Sequence, residues 1–325
     1  MSSSPVAALS TALASTRRQL FEPFDAARYA ALAFCVWLAQ LGGAGGMSPG
    51  VGGNPVPGGG ARPSGPIEAP DSAQLQEVTT TLAPWLPVIA AGVIVAAVVG
   101  FVVGAGLLWL QSRGTFMVIH NLAKGESAVV EPWNAHAKPA NALFRFRLVV
   151  NALGGLVALA AGGVIAWAVW GGLVAGAFAP ALVAAAVAAG AIAAGILLVV
   201  GILDACSTEF VAPVMYVRRG SVRQGFRDVV GFATTDPGSF LLYLLLRVVV
   251  GIGVGVFTVL GTVLTCGFAM LPYVGTLVVL PALVYQRMYA LHFMAGQADD
   301  LRTLARLVPY ETAAERMITE PLPAR

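Results

Sequence analysis

Residues 148–203 read LVVNALGGLVALAAGGVIAWAVWGGLVAGAFAPALVAAAVAAGAIAAGILLVVGIL. These fifty-six residues contain no Asp, Glu, Lys or Arg, and they lie between Arg147 and Asp204. A bilayer core about 30 Å thick takes roughly twenty apolar helical residues to cross, so this stretch is long enough for two crossings. A turn between the two crossings is predicted at residues that favour turns, namely Gly171, Gly172, Gly176 and Pro180. The stretch therefore predicts a membrane hairpin at the centre of the chain.

The composition of the whole chain also indicates a membrane protein. Hydrophobic residues make up 58% and charged residues 11% of the 325 residues, whereas charged residues make up roughly 25% of ordinary soluble domains. The net charge is only +3, and no large basic patch is interleaved with aromatic residues, so a nucleic-acid role is not expected. The three cysteines are isolated in the sequence, which is typical of apolar packing and not of a disulfide framework.

Six apolar runs are candidates for transmembrane helices. They lie at about 28–45, 88–110, 148–170, 179–203, 239–265 and 273–294. The first run is short for a crossing and Gln40 interrupts it, so an interfacial helix is the alternative there. We therefore predict an all-α polytopic membrane protein with about six transmembrane helices.

The segments that flank the apolar runs differ in character. Residues 42–70 are rich in glycine and proline and predict a disordered external loop. Residues 111–142 and 204–237 mix charged and apolar residues, and each predicts an amphipathic helix on the cytoplasmic surface. Residues 1–27 predict a flexible or partly helical cytoplasmic segment, and residues 295–325 predict a cytoplasmic tail with a short helix.

The distribution of basic residues predicts the orientation of the spans. If both termini are cytoplasmic, the external loops are roughly 42–87, 171–178 and 266–272. Of the nineteen Lys and Arg residues, only Arg62 lies in these loops, as the positive-inside rule requires. We therefore predict a multi-pass protein of the bacterial inner membrane with both termini in the cytoplasm.

The two mixed segments resemble each other. In the first, Gly125 precedes Phe144 by nineteen residues, and in the second, Gly220 precedes Phe240 by twenty. A unit of span, surface helix and span that is used twice would explain this likeness, and such repeats often share a site at their interface. The alternative is that both segments simply respond to the same membrane surface.

Two polar residues inside the predicted spans are the first candidates for a functional site, because polar groups within the membrane are usually functional. Asn151 and Arg247 occupy equivalent positions of the proposed repeat. Arg247 could extend to the cytoplasmic interface, bind an anion or lipid headgroup, or pair with Asp204 or Asp236. The sequence leaves these interpretations open.

A second group of candidates follows the fourth predicted span. Its members are Arg218, Arg219, Arg223 and Arg227. Arginines near a membrane surface attract anionic lipid headgroups by about 1 kcal/mol each. The alternative is that the cluster only sets the orientation of the neighbouring helices.

No residue pattern indicates catalysis or a bound cofactor. His120, His136 and His292 have no Cys, Asp or Glu at metal-ligand spacing. The chain also lacks a Ser–His–acid arrangement, paired carboxylates within a span and a phosphate-binding loop. We therefore predict no metal, no cofactor and no enzymatic activity.

Two stretches carry a resemblance to a family. Residues 209–218 read EFVAPVMYVR, and residues 271–289 read LPYVGTLVVLPALVYQRMY. These stretches are similar to uncharacterised bacterial multi-pass membrane proteins related to the membrane domain that is fused to some glycerophosphodiester phosphodiesterases. The resemblance implies an all-helical polytopic fold, and it brings no catalytic residues.

The function expected from the sequence is that of a non-enzymatic scaffold or accessory protein of the envelope. The alternative is a transporter or lipid-handling protein with a site between the two repeat halves. The expected partners are the lipid bilayer and its anionic headgroups. Other membrane proteins or further copies of the chain remain open as partners, and nucleic acid is not expected.

Overall fold

The described part of the chain is helical throughout. The computed structural model describes residues 5–22, 24–41, 80–81, 83–175, 179–265, 267, 271 and 273–305. Within these residues, no strand occurs. The predicted external loop at 42–70 and the tail beyond residue 305 lie outside the described residues.

The helices are long, and most connections between the described ones are short. In chain order they are α1 (Pro5–Phe21), α2 (Ala26–Gln40), α3 (Leu86–Lys124), α4 (Val130–Ala135), α5 (Ala137–Ala175), α6 (Pro180–Cys206), α7 (Ala212–Arg218), α8 (Val222–Thr235), α9 (Pro237–Leu264) and α10 (Val274–Ala295). A π-helical turn, Ser207–Val211, joins α6 to α7. Two 3₁₀ helices, Ala83–Trp85 and Asp299–Ala305, precede α3 and follow α10.

Five helical segments in the described residues are long and apolar enough to cross a membrane, judged by length and composition. They are Pro87–Lys124, Ala137–Ala175, Pro180–Arg218, Pro237–Leu264 and Val274–Ala295. Each overlaps one of the last five predicted spans. The structure therefore confirms an all-α polytopic membrane protein.

The apolar stretch at 148–203 forms two helices, as predicted. α5 continues to Ala175, so Gly171 and Gly172, which were predicted to lie in the turn, are helical. Pro180 begins α6, a position that suits proline because the first N–H of a helix has no partner within the helix. Two helices therefore form from this stretch, and residues 176–178 between them, which include the predicted turn residue Gly176, lie outside the described residues.

The first apolar run falls short of the length of a span. α2 has 15 residues, which extend about 22 Å at 1.5 Å per residue, against a core about 30 Å thick. Asp25 caps its start by accepting hydrogen bonds from two backbone N–H groups. Tyr29 then donates a hydrogen bond to the Leu277 carbonyl of α10 at 2.8 Å. The described residues therefore do not support the predicted crossing at 28–45.

The first predicted surface helix is not a separate helix. Residues 111–124 continue α3, and residues 114–123 are buried. The helix ends before Gly125, which has a left-handed φ of 74° and donates its N–H to the Asn121 carbonyl at 2.9 Å, as in a glycine C-cap. The apolar residues that suggested contact with a membrane surface instead contact protein. Of the two predicted amphipathic helices, only α8 forms as a separate element.

The chain divides into two compact units. The larger unit comprises residues 1–52, 107–146 and 206–325, and the smaller unit comprises residues 53–106 and 147–205. The long helices α3 and α5 each contribute residues to both units.

Aromatic rings form the core of the larger unit. Tyr243 of α9 stacks on Tyr289 and Phe293 of α10, with ring centroids 4.8 and 4.2 Å apart. α1 also packs against α10, and Ser15 Oγ lies 2.8 Å from His292 Nε2. The N-terminal segment, predicted to be flexible or partly helical, therefore forms a packed helix.

We expect the substitution Gly114→Ala to destabilise the protein. An added Cβ would lie 2.7 Å from the carbonyl carbon of Leu38 and 2.8 Å from the Cα of Ala39, and these backbone atoms of α2 cannot rotate away. Overpacking costs about 1–3 kcal/mol, which outweighs the gain of about 0.5–1 kcal/mol from replacing a helical glycine by alanine. Thermal unfolding of the full chain in detergent measures the difference.

Gly106→Ala in the same helix is the matched control. No atom lies within 4 Å of a Cβ added at Gly106, so this variant should keep or raise the midpoint of unfolding. Equal midpoints for the two variants would contradict the close approach of α2 to α3 at Gly114.

Candidate functional site

Arg247 forms an ion pair inside the larger unit. Its Nε donates to Glu209 Oε2 at 3.1 Å, and its Nη2 donates to Oε1 of the same carboxylate. The amide oxygen of Gln286, turned toward the guanidinium, accepts from Nη2 at 3.0 Å. The side chains of Arg247 and Glu209 are 21% and 17% exposed. The partner of Arg247 is therefore Glu209 and not the predicted Asp204 or Asp236.

The π-helical turn explains why Glu209 reaches Arg247. In a regular α-helix the ring of Pro213 would clash with the carbonyl four residues earlier, which belongs to Glu209, and Pro213 has no N–H to bond it. The chain widens instead at Ser207–Val211, where the Ala212 N–H donates to the Ser207 carbonyl five residues back. A π turn changes the direction of the side chains around it and often occurs at functional sites.

Asn151 belongs to a separate ion-pair network in the smaller unit. Nε and Nη2 of Arg147 donate to the two carboxylate oxygens of Asp204, each at 2.7 Å, and the Arg147 side chain is only 1% exposed. Asn151 Nδ2 donates to the Arg147 carbonyl at 2.8 Å and to Asp204 Oδ1 at 3.2 Å. The structure therefore gives Asn151 and Arg247 different partners.

Arg218, the first arginine of the predicted cluster, is held by two carboxylates. Its Nη1 lies 2.7 Å from Asp228 Oδ2, and its Nε donates to Asp300 Oδ2 at 2.7 Å. The guanidinium also lies over the Phe232 ring, 5.7 Å from the centroid. The hydrogen bond from Arg218 lowers the pKa of Asp300. Arg218 therefore joins α7 to α8 and to the 3₁₀ helix after α10.

The other three arginines of the cluster are exposed. Arg219 follows α7 with a left-handed φ of 52°. Arg223 and Arg227 lie one turn apart on α8 and are exposed. The opposite face of α8 is packed against the protein through the buried residues Val222, Gly225 and Val229. The structure thus separates Arg218, which is paired with two carboxylates, from the other three arginines of the cluster.

A group of polar side chains that the sequence analysis missed lies near α3, α4 and α7. We call it the histidine cluster, and its members are His120, Glu126, Glu131, His136 and Tyr216. His120 Nδ1 lies 3.1 Å from His136 Nε2 and 3.4 Å from Tyr216 Oη. His120 Nε2 lies 3.8 Å from Glu126 Oε2 and 3.9 Å from Glu131 Oε1. One buried imidazole is therefore flanked by neutral ring groups on one side and by carboxylates on the other.

A polar cavity adjoins the histidine cluster. Its volume is about 360 Å³, and its polar lining residues are His136, Lys138, Tyr216, Arg219 and Ser221. Burial lowers the pKa of His136 to about 4, and nearby His120, Arg219 and Lys124 act in the same direction. His136 is therefore neutral at pH 7.

The histidine cluster was missed because its members are far apart in the sequence. Glu126 and Glu131 follow His120 by six and eleven residues, across the end of α3, and Tyr216 is 96 residues away. Gly125 could have indicated that Glu126 and Glu131 lie near His120. A glycine with a left-handed φ ends a helix and turns the following residues back toward its last turn.

The fold defines a polytopic membrane protein whose polar side chains are collected into these networks. The chain belongs to a family of unknown function, DUF7544, which it matches over residues 3–297. No curated protein and no solved structure matches the chain. The family agrees with the uncharacterised membrane proteins expected from residues 209–218 and 271–289. A relation to glycerophosphodiester phosphodiesterases is not shown by the match and stays a prediction.

We expect Arg247 and Glu209 to be strongly coupled in stability. Arg247→Met or Glu209→Leu alone leaves a largely buried charge without its partner, which costs about 3 kcal/mol or more. Replacement of both residues should cost much less than the sum, because apolar groups can replace a buried ion pair with little loss. Unfolding free energies of the four proteins of this double-mutant cycle provide the measurement.

The exposed pair Arg302–Asp299, with side chains 72% and 89% exposed, is the control for this cycle. Its substitutions should change stability by less than about 1 kcal/mol. If the loss of unfolding free energy in the double variant equals the sum of the losses in the two single variants, the ion pair between Arg247 and Glu209 does not contribute to stability, and the expectation is wrong.

Proposed function

We propose that this protein is a non-enzymatic scaffold or accessory protein of the bacterial inner membrane, which binds anionic lipid headgroups through α8. The positive-inside distribution of Lys and Arg supports a cytoplasmic position for α8 and for the residues after α10. Five crossings alone would put the two ends of the chain on opposite sides of the membrane. The prediction of two cytoplasmic termini therefore depends on the sixth span predicted at 28–45, which is not among the five candidate spans of the described residues.

The observation that carries this proposal is the contrast between Arg218 and the arginines of α8. Arg218 is held by Asp228 and Asp300, whereas Arg223 and Arg227 are exposed on a helix whose other face is packed. Val230, which is 59% exposed, lies on the same face as these two arginines by helical spacing. A face that combines arginines with an apolar side chain is typical of a helix at a membrane surface.

The candidates inside the spans support the non-enzymatic part of the proposal. Arg247 and Asn151 are bound to other protein groups, and these bonds occupy donors that a substrate or ion would need. Both networks contain a largely buried ion pair, and such pairs can hold two helical segments in one relative position. We assign them a structural role and place the contact with lipid at α8.

The test is the selectivity of the purified full-length protein for anionic lipid. Fluorescent phosphatidylglycerol and phosphatidylcholine compete for the protein in mixed detergent micelles. Each arginine near a surface contributes about 1 kcal/mol, so the double substitution Arg223→Gln/Arg227→Gln should weaken phosphatidylglycerol binding roughly twentyfold or more. Binding of phosphatidylcholine should not change.

Arg18→Gln/Arg302→Gln is the matched control, since it removes the same charge from two exposed arginines on other elements. It should leave the selectivity for phosphatidylglycerol intact. The proposal is wrong if the control loses as much selectivity as the α8 variant, or if the α8 variant keeps it.

An apolar groove makes lipid handling the second candidate function. The groove lies between α1, α9 and α10 and has a volume of about 590 Å³, within the usual range of ligand sites of about 300–1,000 Å³. Its lining includes Leu13, Arg17, Val254, Phe257 and Tyr285. Because α9 and α10 are candidate spans and the groove is lined mainly by apolar side chains, the occupant we propose is a lipid acyl chain. The internal repeat remains a prediction, and this candidate does not depend on it.

Two glycine variants in the same lipid competition assay distinguish acyl-chain binding in the groove from headgroup binding by α8. Gly253 lines the groove, and no atom lies within 4 Å of a Cβ added at Gly253 or at Gly251. Gly253→Phe should weaken binding of both lipids if the groove holds an acyl chain, and Gly251→Phe should not. Unchanged binding in Gly253→Phe would leave headgroup binding by α8 as the proposed function.

A further inference from the structure

His120 Nε2 is a buried nitrogen without a hydrogen-bond partner in the described residues. The His120 side chain is only 3% exposed. The nearest polar groups are Glu126 Oε2 at 3.8 Å and Glu131 Oε1 at 3.9 Å. These distances exceed those of a hydrogen bond. A buried polar atom without a hydrogen-bond partner is rare in proteins and needs an explanation. One explanation is that the atom binds an ion together with the neighbouring side chains.

The three atoms have the chemistry and spacing of a metal site. His120 Nε2 and one oxygen each of Glu126 and Glu131 lie within 4.8 Å of one another. Zinc binds imidazole nitrogen and carboxylate oxygen at about 2.0–2.2 Å, so neighbouring ligands of a tetrahedral ion are about 3.4 Å apart. The separations of 3.8 and 3.9 Å from His120 Nε2 therefore need to close by about 0.5 Å. The two carboxylate oxygens, which lie within 4.8 Å of each other, need to approach by at most about 1.4 Å. The two glutamates are 47% and 61% exposed and have room for this movement.

The other ring nitrogen of His120 has the surroundings of a metal ligand. A histidine that binds a metal usually engages its second nitrogen in a hydrogen bond, which orients the ring and leaves the first nitrogen free for the ion. Here Nδ1 lies 3.1 Å from His136 Nε2 and 3.4 Å from Tyr216 Oη. These contacts direct Nε2 of the same ring toward the two carboxylates.

We propose that His120, Glu126 and Glu131 bind a divalent transition-metal ion of the zinc class. An imidazole with two carboxylates suits zinc and its neighbours better than magnesium or calcium, which prefer all-oxygen sites. Three protein ligands leave a fourth position for water or another ligand. Lys124 Nζ lies 3.3 Å from Glu131 Oε1, and its 45% exposed side chain can turn to solvent when the metal enters.

The site would fix the connection between two candidate spans. His120 belongs to α3, Glu126 follows the turn at Gly125, and Glu131 lies in α4. An ion bound to all three closes this turn and holds α4 against the end of α3. The site lies apart from the arginines of α8 and does not rest on the proposed function.

The experiment uses the full-length protein in detergent without a polyhistidine tag, stripped of metal by a chelator. Isothermal titration with Zn²⁺ should show one site per chain, and Mg²⁺ or Ca²⁺ at the same concentration should not compete. Co²⁺ should give the visible absorption of a low-coordinate site. Addition of Zn²⁺ should also raise the midpoint of thermal unfolding, since a ligand of the folded state stabilises it.

Glu131→Gln and Glu126→Gln are the decisive variants, because both side chains are exposed enough to be replaced without loss of the fold. Each should weaken Zn²⁺ binding by tenfold or more, and His136→Gln, which changes only the orienting partner, should weaken it about tenfold to a hundredfold. Asp299→Asn, an exposed carboxylate with its own ion pair, should bind as the wild type does. Absence of one-to-one binding in the wild type, or unchanged binding in both glutamate variants, would overturn the proposal.

Discussion

A charged group inside an assembly of apolar helices must have a partner, because the hydrocarbon offers it none. The helices of this protein meet that requirement with arginine–carboxylate pairs. In the smaller unit Arg147 contacts both oxygens of Asp204, and in the larger unit Arg247 contacts both oxygens of Glu209. Two-point contact is the strongest geometry for such a pair and also fixes the rotation of the helices that carry it. We therefore assign these polar residues of the apolar segments a structural role, which is to hold the helices together.

The sequence predicted those parts of the structure that depend on local composition. A run such as 148–203 forms membrane-length helices wherever it is placed, because every backbone polar group must be satisfied within its own helix. The breaks at Gly125 and Gly220 were also readable, since residues 125 and 219–221 do separate helices in the structure. The sequence also named Arg223 and Arg227 as candidates for lipid contact, and both are exposed in the structure; their role stays a prediction.

The parts that depend on tertiary contacts were not predictable from the sequence. The apolar spacing of residues 111–142 predicted an amphipathic surface helix, but residues 114–123 are all buried and α3 continues through them to Lys124. The partner of Arg247 depends on the π turn at Ser207–Val211, which displaces Glu209 from the direction that regular helical spacing gives. The histidine cluster joins residues up to 96 positions apart. Rules based on the spacing of neighbouring residues cannot relate positions so far apart. The residues of the proposed metal site, unlike the arginines of α8, are therefore those for which the fold was needed.

The central claim is that five long helices cross the membrane in alternating directions, with α8 on the cytoplasmic side. It is tested most directly by labelling single cysteines in intact cells with a membrane-impermeant maleimide, after Cys35, Cys206 and Cys266 have been replaced. Cysteines at Ala179 and Leu271 should react from outside, because they follow the second and fourth crossings. Cysteines at Ser127, Arg223 and Thr303 should react only after the cells are opened. Reaction from outside at Ser127 or Arg223, or the same accessibility at all five positions, would contradict the account.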